Sequence, residues 1–392
     1  MQICCSEEVH ATGGPGCFLL ARCENVLPAL IEEYGGSVQL IYLDPPFGTG
    51  DRFSVRLPAQ QRSLSLPLFS DTMEPERYLA WMREVLTGCH ALLSESGSLY
   101  LHIDYRMGAA LRLLLDEIFG PKNFMNEIVW CYKSGGRSTK YFPRKHDTIL
   151  FYRKSPRVYF DIQAVGRPRG PERRNHMKRF IDEDGRVCFS IRSGGKTYRY
   201  YEDSLVYPSD VWNDIEHLQQ KDSERVGYAT QKPEALLERI LLASSRPGDL
   251  VMDLFSGSGT TAAVAQRLGR RFFVADASPI ALYTLRNRLL AASGRPSLLA
   301  DKAGALHLRY PASEERAVIS ASGAGPGRLQ LDKAYFDPDY PLAYLAAGRV
   351  EDACFYPAYS YCRPILPLAL DQAAGDTLHL TDILGRQAFI RL

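Results

Sequence analysis

The 392-residue chain lacks most of the features that mark secreted, membrane-spanning or zinc-binding proteins. Its nine cysteines are scattered and none belongs to a C-x-x-C pair, which argues against a zinc site and against a disulfide scaffold. No apolar run approaches the ~18 residues that a membrane span needs, and the N-terminus lacks the basic start and apolar core of a signal peptide. Free thiols are typical of a reducing compartment. We therefore expect a cytoplasmic protein with no metal site and no membrane contact.

The chain also has little net charge, because 47 Lys and Arg nearly balance 45 Asp and Glu to give +2. That balance hides a segregation of charge along the chain. Residues 130–200 carry 18 Lys and Arg against 6 acidic residues and also contain 12 aromatic residues, so the remainder is acidic. A basic segment with interleaved aromatics is typical of a nucleic-acid-binding surface, although a solvated basic surface has the same composition.

Strand-like apolar runs alternate with helical patterns over much of the chain, which predicts an α/β fold with a parallel sheet. Residues 38–43 and 250–254 are apolar runs of the kind that form buried strands. Residues 167–204 show no sustained period, and residues 321–328 are rich in Gly, Ser and Pro, as in a linker. The tail beyond residue 328 has short alternating runs and is predicted to be β-rich.

The first motif with chemical content is Asp44-Pro45-Pro46-Phe47, which directly follows the apolar run 38–43. Two consecutive prolines fix φ and exclude helix, so they hold their neighbours rigidly at the end of a strand. The Pro45 carbonyl and the Asp44 carboxylate are two acceptors, and Phe47 offers a stacking face. This set fits an exocyclic amine on a flat heteroaromatic ring, whereas the simplest alternative is a turn that ends the strand.

The second motif is a glycine turn at residues 253–260, directly after the second buried run. Gly257 and Gly259 allow a sharp bend and a close approach to a ligand, and the helix that follows offers free N–H groups. Asp276 ends the next predicted strand, where a carboxylate suits the two hydroxyls of a ribose. A lone G-x-G is a weak signal, and a tight packing turn with a surface aspartate is the alternative.

The two motifs together resemble those of the amino-methylating DNA methyltransferases, which act on adenine N6 or cytosine N4. Because the catalytic motif precedes the glycine turn, the order resembles the β class of that family. Residues 40–53, 126–130, 207–215 and 227–261 contain further matching stretches, and the likeness covers roughly residues 17–292. It implies a doubly wound, Rossmann-like sheet in circularly permuted order, with seven strands of which one is antiparallel.

The resemblance also implies a cofactor, S-adenosylmethionine, and a role for each matching residue. The catalytic residues would be Asp44, Pro45, Pro46 and Phe47. The cofactor-binding residues would be Asp253, Phe255, Ser256, Gly257, Gly259, Thr260 and Asp276, with Thr230, Lys232 and Pro233 from a second element. The DNA-binding residues of the basic segment would be Arg137, Lys140, Arg144, Lys145, Arg173, Arg174, Lys178 and Arg179. One departure concerns Glu24, which would have to replace an aspartate that many relatives carry before the first helix.

This likeness divides the chain into four parts. Residues 1–129 would form the catalytic half of the methyltransferase domain, and residues 130–226 a final core strand with the target-recognition insertion. Residues 227–300 would form the cofactor-binding half, followed by a linker and a small β-rich accessory region at 301–392. The expected partner is double-stranded DNA; a second copy of the chain and a cognate restriction nuclease are further candidates.

Several functions stay open at this stage. Transfer to adenine N6 is favoured over cytosine N4, because relatives that act on cytosine usually carry Ser where Asp44 stands. RNA and a protein glutamine amide are alternative acceptors, but the glutamine enzymes typically begin this motif with Asn. A DNA-binding protein that has lost catalysis is a further alternative, and the intact Asp44, Gly257 and Gly259 argue against it.

Overall fold

The computed structural model describes residues 5–10, 16–48, 50, 52–58, 63–133, 138–170, 177–291, 305–310, 318–323, 328–336, 342–351, 354–362, 368–371, 375–382 and 386–391. These residues contain two short 3₁₀ turns, at Pro121–Asn123 and Gln163–Val165, and six α-helices. The helices are α1 (Cys23–Tyr34), α2 (Pro75–Leu92), α3 (Gly108–Phe119), α4 (Glu234–Ser244), α5 (Thr260–Arg267) and α6 (Pro279–Ala291).

The same residues form 24 strands in five sheets. In chain order the strands are β1 (Cys5–His10), β2 (Gly16–Leu20), β3 (Val38–Leu43), β4 (Arg52–Pro58), β5 (Ser63–Ser70), β6 (Leu93–Ile103), β7 (Phe124–Cys131), β8 (His146–Arg153), β9 (Arg167–Pro168), β10 (Lys178–Ile181), β11 (Val187–Ser193), β12 (Lys196–Tyr201), β13 (Leu205–Val206), β14 (Val211–Trp212), β15 (Leu250–Asp253), β16 (Arg271–Asp276), β17 (Ala305–Tyr310), β18 (Val318–Gly323), β19 (Arg328–Tyr335), β20 (Leu342–Glu351), β21 (Cys354–Cys362), β22 (Leu368–Asp371), β23 (Thr377–Asp382) and β24 (Gln387–Arg391).

The seven central strands have the arrangement that the resemblance implied. Their order is β7-β8-β6-β3-β15-β16-β2, and β8 alone runs antiparallel to its two neighbours. From β3 the chain moves outward to β6, whereas from β15 it moves in the opposite direction to β16. The strand order therefore reverses between β3 and β15, and ligands of open α/β sheets bind at such a reversal, beyond the carboxyl ends of the strands.

Helices cover both faces of this sheet, as a doubly wound fold requires. All six residues of β3 are buried, and its side chains alternate between the two faces. Ile41 and Leu43 pack with residues of α1, α2 and α3, whereas Leu40 and Tyr42 pack with residues of α4, α5 and α6. A strand that is buried on both faces needs a continuous apolar run, which is why the sequence marked it so clearly.

The basic segment is more regular than its sequence indicated. Residues 167–204 showed no sustained period in the sequence, but β10, β11 and β12 within this range form an antiparallel sheet, and β9 pairs with β13 just beyond it. Among the residues of β10, β11 and β12 only Cys188 and Phe189 are buried, so the strands show little apolar alternation. The turn between β11 and β12 does carry a hairpin signal, because Gly194 and Gly195 are adjacent and both have positive φ.

The C-terminal region is β-rich, as predicted, but it continues the central sheet. Beyond β2 the sheet adds β17, β1, β21, β20, β23 and β24, and β14 extends the opposite edge beside β7. The expected linker at 321–328 is wrong at both ends, because residues 321–323 belong to β18 and residue 328 begins β19. Short polar strands and linkers share Gly and Ser, so composition did not separate them.

A buried arginine joins the C-terminal strands to the core. Arg286 of α6 is 2% exposed, lies 4.1 Å from the ring centroid of Tyr344, and donates a hydrogen bond to the Thr381 hydroxyl at 3.2 Å. In the part of the chain that the structure describes, no helix is long and apolar enough to cross a membrane.

Candidate active site

A cavity of about 490 Å³ opens where β3 and β15 end. Its volume lies in the range of small-molecule and cofactor pockets. All four residues of the first motif border it, and so do most of the residues that were predicted to bind a cofactor. The bordering residues of the two predicted sets are Asp44, Pro45, Pro46, Phe47, Thr230, Lys232, Asp253, Phe255, Ser256, Gly257, Thr260 and Asp276.

Asp44 is held by a cation from the opposite wall. Lys232 Nζ lies 2.5 Å from Asp44 Oδ2 and 5.3 Å from the centroid of the Phe47 ring. The other carboxylate oxygen, Oδ1, is buried and has no hydrogen-bond partner among the described residues. A buried acceptor without a donor is costly, so such an atom is suited to accept a hydrogen bond from a ligand.

A second aspartate, Asp71, fixes the backbone of the first motif. Asp71 is 2% exposed, and its Oδ2 accepts the N–H of Phe47 at 3.0 Å while its Oδ1 accepts the N–H of Gly48 at 2.8 Å. Its carbonyl oxygen also accepts the N–H of Gly50 at 2.8 Å. Sequence reasoning missed Asp71, because it lies 24 residues beyond Phe47 and belongs to no motif.

A buried histidine side chain, held by hydrogen bonds on both ring nitrogens, lies behind the Phe47 ring. The His102 ring is fully buried and stacks on Phe47, with centroids 6.0 Å apart and an interplanar angle of 26°. His102 Nδ1 is 2.8 Å from the Tyr42 hydroxyl, and its Nε2 is 3.2 Å from Asp147 Oδ2. The Tyr132 hydroxyl donates to Asp147 Oδ1 at 3.1 Å. Because His102 is held by these hydrogen bonds, the Phe47 ring that stacks on it also has a fixed plane.

The pKa of Asp147 is lowered despite the burial of its carboxyl group. Burial alone would raise this pKa, but the hydrogen bond and charge of His102, the charge of Lys232 and the hydrogen bond from Tyr132 together outweigh it. The Lys232 ammonium, which pairs with Asp44, is therefore also near enough for its charge to lower the pKa of Asp147.

The glycine turn is organised by two aspartates at the ends of neighbouring strands. Asp253 Oδ1 accepts the N–H of Phe255 at 2.9 Å, and its Oδ2 accepts the Thr261 hydroxyl at 2.6 Å. Asp276 Oδ2 accepts the N–H of Gly257 at 2.8 Å. Burial raises the pKa of Asp253 to about 7 and also raises that of Asp276, although the hydrogen bonds that each accepts act in the opposite direction.

Both glycines of the turn have conformations that other residues rarely adopt. Gly257 has φ +49°, and a Cβ atom there would lie 3.3 Å from the Tyr228 ring. Gly259 has φ +76°, and its Cβ would lie 3.0 Å from Leu285. Gly259 and Pro233 do not border the cavity; they precede α5 and α4 and set where these helices begin.

The polar groups around the turn fit a ligand with several hydrogen-bonding atoms. Ser256 is 6% exposed and borders the cavity, and its hydroxyl has no partner among the described residues. Thr260 ties the turn to the second element, since its hydroxyl donates to the Lys232 carbonyl at 3.1 Å. Arg288 donates to the same hydroxyl at 3.1 Å. An unpaired buried hydroxyl beside a sharp glycine turn is what a bound cofactor would satisfy.

The aromatic wall of the cavity was not predicted as a whole. Trp81 of α2 packs edge-on against Phe255, with centroids 5.5 Å apart. Its indole N–H donates to Glu24 Oε2 at 3.3 Å, and Arg22 holds Glu24 Oε1 at 2.6 Å. Glu24 borders the cavity, so the acid that departs from the family pattern lies at the site.

The predicted DNA-binding residues that the structure describes do not border the cavity. Arg137, Arg173 and Arg174 fall outside the described residues. Lys140, Arg144 and Lys145 precede β8, which begins at the sheet edge where β6 ends. Lys178 and Arg179 are exposed on β10, and Arg179 pairs with Glu202 at 3.5 Å.

Comparison with known proteins identifies the family. The family model described as DNA methylase (N6_N4_Mtase) matches residues 38–285, more than half of the chain. The chain belongs to this family. Enzymes of the family use S-adenosylmethionine as the methyl donor.

Two curated relatives are about equally similar to this chain. It is 30% identical over 254 residues to the Type II methyltransferase M.BglII of Bacillus subtilis, with 62% of this chain and 64% of that protein covered. It is 32% identical over 238 residues to the DNA adenine methyltransferase YhdJ of Escherichia coli, with coverages of 60% and 70%. Among solved structures, the cytosine-N4-specific PvuII DNA methyltransferase matches with a TM-score of 0.47 and 17% identity, over 71% of this chain and 87% of that one.

Proposed function

We propose that this chain transfers a methyl group from S-adenosylmethionine to the N6 atom of an adenine in DNA. The observation that carries the proposal is the state of Asp44 in the cavity: one oxygen is held by Lys232, and the other is buried without a donor. Family membership supports amino methylation of DNA in general. The choice of adenine depends on Asp44 itself, at a position where cytosine-specific relatives usually carry Ser.

Asp44 and Pro45 act on the amine. The adenine amine is a weak nucleophile, because its lone pair is delocalised into the ring. When Asp44 Oδ1 and the Pro45 carbonyl accept its two hydrogens, the nitrogen becomes more pyramidal and its lone pair more available. The fixed carboxylate also stabilises the positive charge that develops on nitrogen. Asp44 need not be a strong base, since the methylated ammonium group releases its proton readily.

Phe47 positions the base. Its ring is packed on His102, and its backbone is clamped by Asp71, so the exposed face of the ring has one orientation. A flat heteroaromatic ring stacked on that face would place its amine beside Asp44. Fixing the angle and distance of a nucleophile in this way can account for a large part of a methyl-transfer rate.

The turn after β15 would hold the cofactor, which supplies an electrophilic methyl group on its sulfonium sulfur. Asp276 borders the cavity at the end of β16, where a carboxylate suits ribose hydroxyls. Ser256 and Gly257 would contact the methionine end, with Thr230 and Lys232 across the cavity. The remaining predicted residues, Asp253, Thr260, Gly259 and Pro233, shape the turn and the starts of the helices. Phe255 and Trp81 offer an aromatic wall.

The acceptor base must leave the double helix to reach this cavity, because a stacked and paired adenine cannot enter an enclosed pocket. The predicted cationic residues would neutralise phosphates around that base. A second copy of the chain and a restriction nuclease stay candidate partners, and neither is needed for the chemistry described here.

Purified Asp44→Ala protein tests the proposal. With unmethylated DNA and labelled S-adenosylmethionine, the wild type should produce N6-methyladenine, as identified by mass spectrometry of the digested nucleosides. Asp44→Ala should lose methylation while binding DNA with nearly unchanged affinity. Asp161→Ala, which removes a carboxylate away from the cavity, serves as a matched control. Retained turnover in Asp44→Ala, or N4-methylcytosine as the product, would overturn the assignment.

A further inference from the structure

One aromatic side chain stands almost free of the protein. Phe142, in the segment that leads into β8, is 94% exposed, more than any other large apolar side chain in the described part of the chain. Burying an aromatic ring is favourable, so a ring presented this fully to water is available to pack against a partner.

The neighbours of Phe142 are held in place. The Arg144 guanidinium lies 4.1 Å from the centroid of the Tyr105 ring and 4.8 Å from that of Tyr141. The Ser138 hydroxyl accepts the N–H of Tyr141 at 3.3 Å. Pro143 follows directly and restricts the backbone at Phe142. The ring is therefore projected from a segment whose flanking residues are fixed.

The position of this segment relates it to the cavity. Asp147, five residues beyond Phe142, is bonded to His102, on which Phe47 stacks. Five extended residues span at most ~18 Å, so Phe142 lies within that distance of Asp147 along the chain. Tyr105, which holds Arg144, follows the end of β6 at the same edge of the sheet.

The charges around Phe142 favour DNA over an apolar protein surface. Lys140 and Arg144 are exposed on either side of it, and Lys145 follows. An apolar tip between cations matches a stack of bases between two phosphate backbones. A protein partner would fit better if the rim were less uniformly positive.

We propose that Phe142 inserts into the DNA base stack beside the target base and takes its place when that base turns outward. This assignment rests on the proposed function, since it presumes a base that must leave a duplex. Phe142 would act on opening of the duplex and not on the methyl-transfer step.

The test compares Phe142→Ala and Phe142→Trp with Leu113→Ala, a control that removes the next most exposed large apolar side chain of the described residues, 67% exposed on α3. Single-turnover methylation is measured on two oligonucleotide duplexes that carry the modified sequence: one with a normal pair at the target adenine, one with a mismatch there. Because a mismatched base is already partly unstacked, it needs less help to leave the helix.

The methylation rate of Phe142→Ala should fall about tenfold or more on the paired duplex but less than about threefold on the mismatched one. Phe142→Trp and Leu113→Ala should stay within about twofold of the wild type on both duplexes.

A second readout does not depend on methylation. Permanganate oxidises unstacked thymines, and its pattern on protein-bound DNA from a methylation-deficient strain reports opening of the duplex. The wild type should create reactive thymines that Phe142→Ala does not. Equal rate losses on both duplexes, unchanged reactivity, or a changed oligomeric state of Phe142→Ala in sedimentation would overturn the inference. A wild-type protein that unstacks thymines but methylates nothing would instead contradict the proposed function alone.

Discussion

The clamp that Asp71 places on the catalytic loop gives a quantitative prediction. Each of its carboxylate oxygens accepts one backbone N–H, from Phe47 at 3.0 Å and from Gly48 at 2.8 Å. In Asp71→Asn the amide oxygen can still accept one of these donors, but the amide nitrogen then faces the other N–H. The variant loses one charge-assisted hydrogen bond, which is worth about 1.5–3 kcal/mol.

That loss should appear mainly in the rate. If the clamped loop is the active geometry, a cost of about 1.5–3 kcal/mol lowers its population by roughly tenfold to a hundredfold. We expect a decrease of that size in the single-turnover methylation rate of Asp71→Asn. DNA affinity should change little, because Asp71 is buried and offers no surface to a phosphate backbone.

The matched control is Asp161→Asn. Asp161 also accepts two backbone N–H groups through Oδ1, from Gln163 at 2.9 Å and Ala164 at 3.2 Å, but it does not border the cavity. It should keep the wild-type rate. A folded Asp71→Asn protein, verified by its thermal unfolding, that methylates at the wild-type rate would refute the role of the clamp.

Three further predictions concern charge. Burial raises the pKa of Asp253 from 3.8 to about 7, so between these pH values the folded state keeps a proton that the unfolded state releases. This group should lower the free energy of unfolding by at most about 4 kcal/mol between pH 4 and 7, and Asp253→Asn should remove that contribution in urea unfolding while the contribution of Asp276 stays; an unchanged pH dependence would refute the assignment. Lys232→Met leaves Asp44 without its cation and should lower the methylation rate by about tenfold, whereas Lys133→Met should not; equal rates would refute the role of the pair. Replacing Lys140 and Lys178 by Ala should reduce the slope of log affinity against log salt by about one per lost phosphate contact, and an unchanged slope would contradict their placement.

The central sheet was largely predictable because its strands are buried on both faces. The apolar runs at β3 and β15 follow from that burial, and the two motifs mark the carboxyl ends of the same strands. Parallel strands bring their carboxyl ends to one edge, so residues 209 positions apart in sequence, such as Asp44 and Asp253, were expected at one site. Both border the same cavity.

The contacts that organise the site were not predictable in the same way. Asp71 and Trp81 reach the cavity from segments with no motif, and only the folded chain brings them beside residues 44–47 and 255. The pairing of Lys232 with Asp44 joins two motifs that were assigned separate tasks, cofactor binding and catalysis. The small sheet of the basic segment was missed because solvent-exposed strands need no apolar alternation.

The most direct test of adenine-N6 methylation is to identify the modified bases in the genome of living cells that express the chain. The wild-type chain and Asp44→Ala are expressed in a bacterial strain without DNA methylation, and the genomes are sequenced by a method that distinguishes methylated bases. We predict N6-methyladenine at one recurring sequence with the wild type and none with Asp44→Ala. N4-methylcytosine, or N6-methyladenine that persists with Asp44→Ala, would contradict the account.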